Sequence, residues 1–310
     1  MTTVHEGTYL VTGATGRTGS QVIRKLVQAG ARVRALIHST QPEALPGEGV
    51  EFVPGDYQDY DSLLQACEGV DWVIATVGAQ ASTRGADLVD KVEFQGNVNL
   101  IDAAKSRGVR HLTLITVRGV GTSSAFNPVY VAKARAEQHL VESGVPYTIF
   151  RPGGIIDTSG RNFLAAIEQA RKGEAIRVYG NPDQPVVLIF VDELAEFCIR
   201  AHIVSESQNH ILELGGLPPF TRAEYWNLIG EIAGREAQVQ YLSPDDLVPA
   251  RQEAEKAEDW GRFFNLAREE ISARSERPAP DMSTLDRTFS VEQRDLETFI
   301  RSAAAQARND

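Results

Sequence analysis

The chain has 310 residues, 42% hydrophobic and 24% charged, which is enough to bury a core in one large domain or two. Its formal net charge of −11 lacks the basic footprint that nucleic-acid phosphates demand, so a nucleic-acid partner is excluded. Its two cysteines, Cys67 and Cys198, exclude a disulfide framework and read as buried thiols in apolar helical patterns.

The first predicted strand starts at Thr8 and no long apolar run precedes it. No membrane span or targeting segment is visible, and a soluble cytoplasmic protein is the expectation. The strand Thr8–Thr12 runs into Gly13-Ala14-Thr15-Gly16-Arg17-Thr18-Gly19 and a helix, Ser20 to Ala29, closed by Gly30. Ala31 to Ile37 is a second strand, and Val50 to Val53 a third, stopped by Pro54-Gly55-Asp56. Asp61 is the expected N-cap of a short helix through Leu63 and Cys67. Asp71 to Val77 is the fourth strand, and a long helix from about Ala86 to Arg107 leads to the fifth, His111 to Val117. Asn127-Pro128 is an N-cap and N1 pair for a helix reaching Ser143 and closing at Gly144. Pro146 to Phe150 is the sixth strand. This alternation predicts an α/β fold, a doubly wound parallel sheet covered by helices on both faces.

Beyond Ile155 the pattern loosens into a helix Arg161–Lys172, a strand Pro185–Val191, a helix Asp192–His202 and a strand Ile211–Leu214. After Thr221 the chain reads as helices over 223–233, 244–274 and 291–308, with 275–283 as a connector. The expected division is residues 1–155 plus about 186–215 as a dinucleotide domain. About 156–185 plus 216–310 would form a small, mostly helical substrate lobe over the carboxyl ends of the sheet.

The glycines at 13, 16 and 19, set between a strand and a helix, let backbone approach a pyrophosphate at a helix N-terminus. Gly13, Thr15, Gly16, Arg17 and Thr18 are the expected contacts. After the second strand an NAD site would carry an acid for the ribose hydroxyls, whereas this chain has His38-Ser39 and no acid before Glu43. Arg17 and Arg34 add positive charge nearby, although Arg34 also reads as a solvated strand residue. NADP is therefore the expected cofactor, with NAD as the alternative. Asp56 is set to accept from the adenine amino group or to cap its own turn, and Tyr57 sits beside it. Ala75, Thr76, Val77 and Gly78 end the fourth strand, with Gly78 leaving room for a ribose. Thr116 and Val117 end the fifth, and Pro152, Gly153 and Gly154 the sixth, completing the expected cofactor set.

These residues resemble a family. The turn Thr12–Gly19, the pair Gly55-Asp56, and Asp102-Ala103-Ala104-Lys105 running into Gly108-Val109 resemble short-chain dehydrogenase/reductases. Lys133-x-x-Ala136-Glu137, Ser143-Gly144-Val145-Pro146-Tyr147-Thr148, Arg151-Pro152-Gly153 and Val191-Asp192-Glu193-Leu194-Ala195 are similar to the atypical, NmrA-like branch. The resemblance spans residues 8–215 and implies a Rossmann-type fold.

Active members of the wider family use a Ser or Thr, a Tyr and a Lys. The Tyr hydroxyl moves the substrate proton, while the Lys lowers the Tyr pKa and holds the nicotinamide ribose. Here Tyr130 and Lys133 have two residues between them where the family has three, which sets Tyr130 near N3, offset from the nicotinamide. Thr116 stands at the Ser position. Lys133, Tyr130 and Thr116 are thus the catalytic candidates, with Lys133 also a ribose ligand. Arg118 either anchors an anionic substrate or points to solvent.

The six histidines show no metal-ligand spacing, and no Gly-x-Ser-x-Gly elbow occurs. The acidic run 253–259 reads as a solvated helix face, and Trp226, Trp260, Phe263 and Phe264 as core or as an apolar pocket wall. Two functions remain in view. One is an NADPH-dependent reductase of a small carbonyl, enone or quinone. The other is a non-catalytic dinucleotide-sensing regulator or assembly factor with a protein partner.

Overall fold

The computed structural model describes residues 4–38, 45, 48–78, 85–121, 126–216 and 219–307. Strand β1 (Thr8–Thr12) passes through the glycine turn into α1 (Arg17–Gln28), and β2 (Arg32–Ile37), β3 (Val50–Pro54), α2 (Tyr60–Ala66) and β4 (Trp72–Ala75) follow. A three-part helical stretch comes next: α3 (Gly85–Val89), a π-helical turn (Asp90–Gly96) and α4 (Asn97–Ser106). Then come β5 (His111–Ile115), α5 (Pro128–Ser143), β6 (Tyr147–Pro152), β7 (Gly154–Ile156) and α6 (Arg161–Lys172). Strands β8 (Ile176–Tyr179), β9 (Pro185–Val186) and β10 (Leu188–Phe190) precede α7 (Val191–Arg200) and β11 (His210–Leu214). The remainder is β12 (Phe220–Thr221), α8 (Arg222–Ala233), β13 (Val239–Leu242), α9 (Val248–Lys256), α10 (Trp260–Ala273), α11 (Met282–Phe289) and α12 (Leu296–Gln306).

Seven strands form one sheet in the order β3-β2-β1-β4-β5-β6-β11, and every neighbouring pair is parallel. This is the expected Rossmann-type, doubly wound arrangement. The order reverses between β1 and β4, the point where open α/β sheets receive ligands beyond their carboxyl ends.

Alternation along β1 feeds two cores. Tyr9 and Val11 pack with Val22, Ile23 and Leu26 of α1 and with Leu194, Phe197 and Cys198 of α7. Leu10 faces the other way, with Leu63 of α2, Leu100 and Ile101 of α4, and Leu140 of α5. A third cluster joins Ile156, Phe163 and Ile167 to Ile229 of α8 and Ile300 of α12. The tail does not stay with that third cluster. Met282, Phe289 and Val291 enter the first core, where Phe289 lies edge-on to Phe150 at 5.7 Å and to Phe197 at 5.3 Å. Helices α9 and α10 instead cover α3 and α5, with Ala254, Phe263, Phe264 and Ala267 against Val89 and Ala132.

Several boundaries differ from the sequence reading, each for a local reason. Asp59, not Asp61, caps α2, accepting from the Asp61 N–H at 3.1 Å. The helix expected over 244–274 is broken at Glu258, whose φ is +53°, and Asp259 starts α10 by accepting from Arg262 N. The acidic run is therefore a helix end and a cap as well as a solvated face. The strand expected over 185–191 is two short strands in different small sheets. The tail helix expected from Val291 begins at Leu296, capped by Asp295, and α11 occupies part of the expected connector.

Candidate functional site

The glycine turn is built from inside the protein. Gly13 has φ +69°, and a Cβ there would lie 2.6 Å from Thr76 Oγ1. A Cβ on Gly19 would lie 2.2 Å from the Gly13 carbonyl oxygen, so α1 crosses β1 at a distance only glycine permits. The Gly16 N–H donates to Gly13 O at 2.9 Å, and Thr76 Oγ1 donates to Thr12 O at 2.8 Å. Gly16 is the N-cap of α1 and offers its first turn no side-chain cap. Thr15, Gly16 and Arg17 are exposed. Uncapped N–H groups at the positive end of a helix, beneath an exposed turn, fit a pyrophosphate.

Around this turn the expected residues divide into those facing outward and those that build the floor. His38 is exposed at the end of β2, with Nε2 3.4 Å from Asp56 Oδ2, so these two candidates meet. Ser39 lies outside the described residues. Arg34 is not available to a cofactor: it donates to Glu51 and to the carbonyls of Ala66 and Glu68. Arg17 comes near Asp157, after β7, where its charge helps hold that carboxylate below its ordinary pKa behind the larger effect of Ser159. Tyr57 is buried beneath the turn, its hydroxyl 2.5 Å from Thr12 Oγ1. Burial holds its phenol well above the ordinary value. Ala75 is buried, Thr76 and Val77 are half-buried, and Gly78 is exposed. Pro152 O accepts from Arg118 N, Gly153 N donates to Leu214 O, and Gly154 N donates to Val187 O. A Cβ on Gly153 would lie 2.2 Å from Val187 O, so this glycine serves strand crossing.

The three catalytic candidates are not joined in one relay. Thr116 Oγ1 donates to Glu137 Oε1 at 2.6 Å, and the Glu137 carboxylate is also gripped by Nε and Nη2 of Arg151. The hydroxyl proton of Thr116 is thereby committed to a buried carboxylate. Val117 lies next to it, against the buried ring of Tyr130 together with Phe126, Val129 and Ile271 of α10. Burial raises the Tyr130 phenol above its ordinary value, with Arg268 opposing, which is away from the activated phenol that proton transfer needs. Lys133 is buried, and its Nζ donates to Glu93 Oε2 at 2.7 Å. Glu93 Oε1 lies 3.7 Å from where a Cβ on Gly78 would sit, which brings this ion pair to the carboxyl end of β4.

Arg118 follows neither of its expected readings. It donates to Glu213 at 3.0 Å and to the carbonyls of Arg277 and Pro278, tying the tail to edge strand β11. Phe263 and Phe264 are core, while Trp260 is half-buried with Nε1 3.5 Å from a Cβ position on Gly85. Glu93 was not among the residues read from sequence. It sits in a π-helical turn, where α-helical periodicity gives the wrong face. Glu137 and Arg151 belong to the family-like motifs, but their mutual pairing carries no signal in the spacing.

A sequence profile of NAD(P)H-binding proteins matches residues 13–177. The chain belongs to the NAD(P)H-binding family. The match is consistent with the atypical, NmrA-like reading of its motifs. Among curated relatives of this family member is sanguinarine reductase of Eschscholzia californica, 29% identical over 254 residues, covering 68% of this chain and 89% of that one. Another is photosystem II assembly factor Ycf39 of Cyanophora paradoxa, 26% identical over 298 residues, covering 94% and 90%. A solved structure of the Escherichia coli NADPH-dependent quinone oxidoreductase QOR2, complexed with NADPH, superposes with a TM-score of 0.71. It covers 97% of this chain and 100% of that one at 20% identity, a likeness of fold.

Proposed function

We propose that this NAD(P)H-binding protein is an NADPH-dependent oxidoreductase that passes hydride to a small carbonyl, enone or quinone. The observation that carries the reading is the buried Lys133 ammonium, paired with Glu93, whose other carboxylate oxygen approaches the exposed Gly78 at the carboxyl end of the sheet. A cation there suits a nicotinamide ribose, and a protein reading only the adenosine half has no use for it. The names of sanguinarine reductase and of the quinone oxidoreductase support the same class.

The reduced nicotinamide supplies the hydride when bound. The first-turn N–H groups of α1 bind the pyrophosphate. His38 and Arg17, both exposed, donate to the 2′-phosphate, which favours NADPH over NADH. Lys133 orients the ribose. The Thr116 hydroxyl donates its hydrogen bond to Glu137, so the proton that completes reduction comes from water and catalysis rests on positioning.

The second reading is a cofactor-sensing assembly factor with a protein partner, as the name of Ycf39 suggests for that relative. It is favoured by the commitment of Thr116 to Glu137 and by the burial of Tyr130 beneath α10. The two readings separate when NADPH absorbance is followed with a panel of quinones, enones and aldehydes. Turnover that is lost in Lys133→Ala supports the enzyme. Tight NADPH binding without turnover on any acceptor, together with a copurifying protein, overturns it. Calorimetry with both cofactors tests the phosphate preference, and equal affinities would refute the role given to His38.

A further inference from the structure

The ion pair between Lys133 and Glu93 has no stability argument behind it. Taking an ammonium and a carboxylate out of water carries a desolvation penalty that can exceed their attraction, and packed apolar side chains can often replace such a pair without loss. Both residues are nevertheless buried, Glu93 at 1% exposure and Lys133 at 9%. The surrounding structure is organised to keep them paired. Glu93 lies inside the π-helical turn Asp90–Gly96, whose wider winding rotates it relative to α4. The Asn97 side chain donates to the Glu93 carbonyl at 2.8 Å and anchors that turn. Gly96 closes the turn against Tyr57, where a Cβ would come within 2.6 Å of the ring. The Tyr57 hydroxyl in turn meets Thr12 at the foot of the glycine turn. One chain of contacts therefore runs from the pyrophosphate turn to Glu93.

An ammonium has three donors, and one of those on Lys133 goes to Glu93 Oε2. We propose that Glu93 is a cofactor-positioning residue: its carboxylate, which reaches toward Gly78 with one oxygen, fixes the Lys133 ammonium with the other so that the remaining donors meet the ribose bearing the nicotinamide. The proposal deepens the reading of Lys133 as a ribose ligand and rests on it. Glu93 acts through Lys133 and takes no part in bond making.

The test measures calorimetric affinity for two probes. One is the dinucleotide that the wild type binds more tightly, NADPH or NADH. The other is its adenosine half, 2′,5′-ADP or ADP, which lacks the second ribose. In Glu93→Gln the dinucleotide should weaken about ten-fold, the scale of one charge-assisted hydrogen bond, while the adenosine half stays within about two-fold. Lys133→Met should weaken the dinucleotide alike. The double variant, which leaves no buried charge unpaired, should be no weaker than Lys133→Met. Equal weakening of both probes in Glu93→Gln means a merely structural role and overturns the proposal. An unchanged dinucleotide affinity in Glu93→Gln, with a loss in Lys133→Met, overturns it while the Lys133 reading stands. No loss in Lys133→Met overturns both. If Glu93→Gln does not fold, Glu93→Asp decides: a partial loss on the dinucleotide alone supports the proposal, and any other pattern refutes it.

Discussion

Acid should attack this protein at the end of the sheet opposite the cofactor site. His111 Nδ1 and His202 Nδ1 lie 2.9 Å apart, both buried, with ring centroids 4.8 Å apart. The proton pattern follows from their neighbours. Thr148 Oγ1 donates to Ser207 O, so it accepts from His111 Nε2 at 3.0 Å. His111 Nδ1 is then an acceptor, His202 Nδ1 its donor, and His202 Nε2 accepts from Thr113 at 3.4 Å. Protonating His111 breaks this arrangement, and burial lowers its pKa from 6.5 to about 4. Because the unfolded chain takes up the proton first, stability is present above pH 6.5 and is lost as pH falls toward 4. At about 1.4 kcal/mol per unit the loss is about 3 kcal/mol.

Glu193 and Asp286 run the other way. Burial raises them to about 7 and about 6, so their protonation on acidification stabilises the fold. Total stability against pH is therefore a poor test, and the difference between wild type and His111→Gln is the quantity to measure. Urea unfolding followed by circular dichroism at pH 7, 6, 5 and 4 supplies it. The variant should be less stable at pH 7 by about 1–3 kcal/mol, the cost of a disturbed buried hydrogen bond. That deficit should shrink by about 3 kcal/mol by pH 4 and vanish or reverse. A difference constant across the range would refute the assignment of neutral, hydrogen-bonded histidines.

Three further substitutions probe the site and the core. Gly19→Ala places a Cβ against a carbonyl oxygen that cannot retreat, so cofactor affinity by calorimetry should fall at least about ten-fold as the turn opens. Thr116→Val removes one donor from Glu137 but leaves Arg151 gripping it. Thermal unfolding should report a loss of about 1–2 kcal/mol, and turnover, once an acceptor is known, should change less than in Lys133→Ala. Phe289→Ala should cost about 3–5 kcal/mol in chemical denaturation, although the residue lies far along the chain from the sheet it supports.

The fold was legible because its signals are local. Asn127-Pro128 and Gly144 bracket α5 as caps do, and the Thr12–Gly19 spacing admits few alternatives. The pieces that escaped the sequence depend on contacts between distant segments. Strand β7 exists because β10 supplies its hydrogen bonds, and its three residues are too few to announce it. At the candidate site the backbone geometry of the Thr12–Gly19 turn was legible, because it rests on glycines close together in the chain. The partners of Thr116 and Lys133 were not, since Glu137 and Glu93 reach them across helix packing and, for Glu93, across a break in the 3.6-residue period. Arg34 and Arg118 show the same limit from the other side: a charge has a position in the sequence, but its partners are set by the fold.

The return of the tail into the first core also bears on how the chain is made. Phe150 and Phe197 present apolar surface that Phe289 covers, and Met282 and Val291 close the same layer. On the ribosome, where chain emerges at about 5–20 residues per second, every sheet strand through Leu214 is synthesised seconds before its last covering segment exists. During that interval the nascent sheet carries an uncovered aromatic patch. A chain cut short before α11 keeps that patch for good and becomes a substrate for chaperones and proteases.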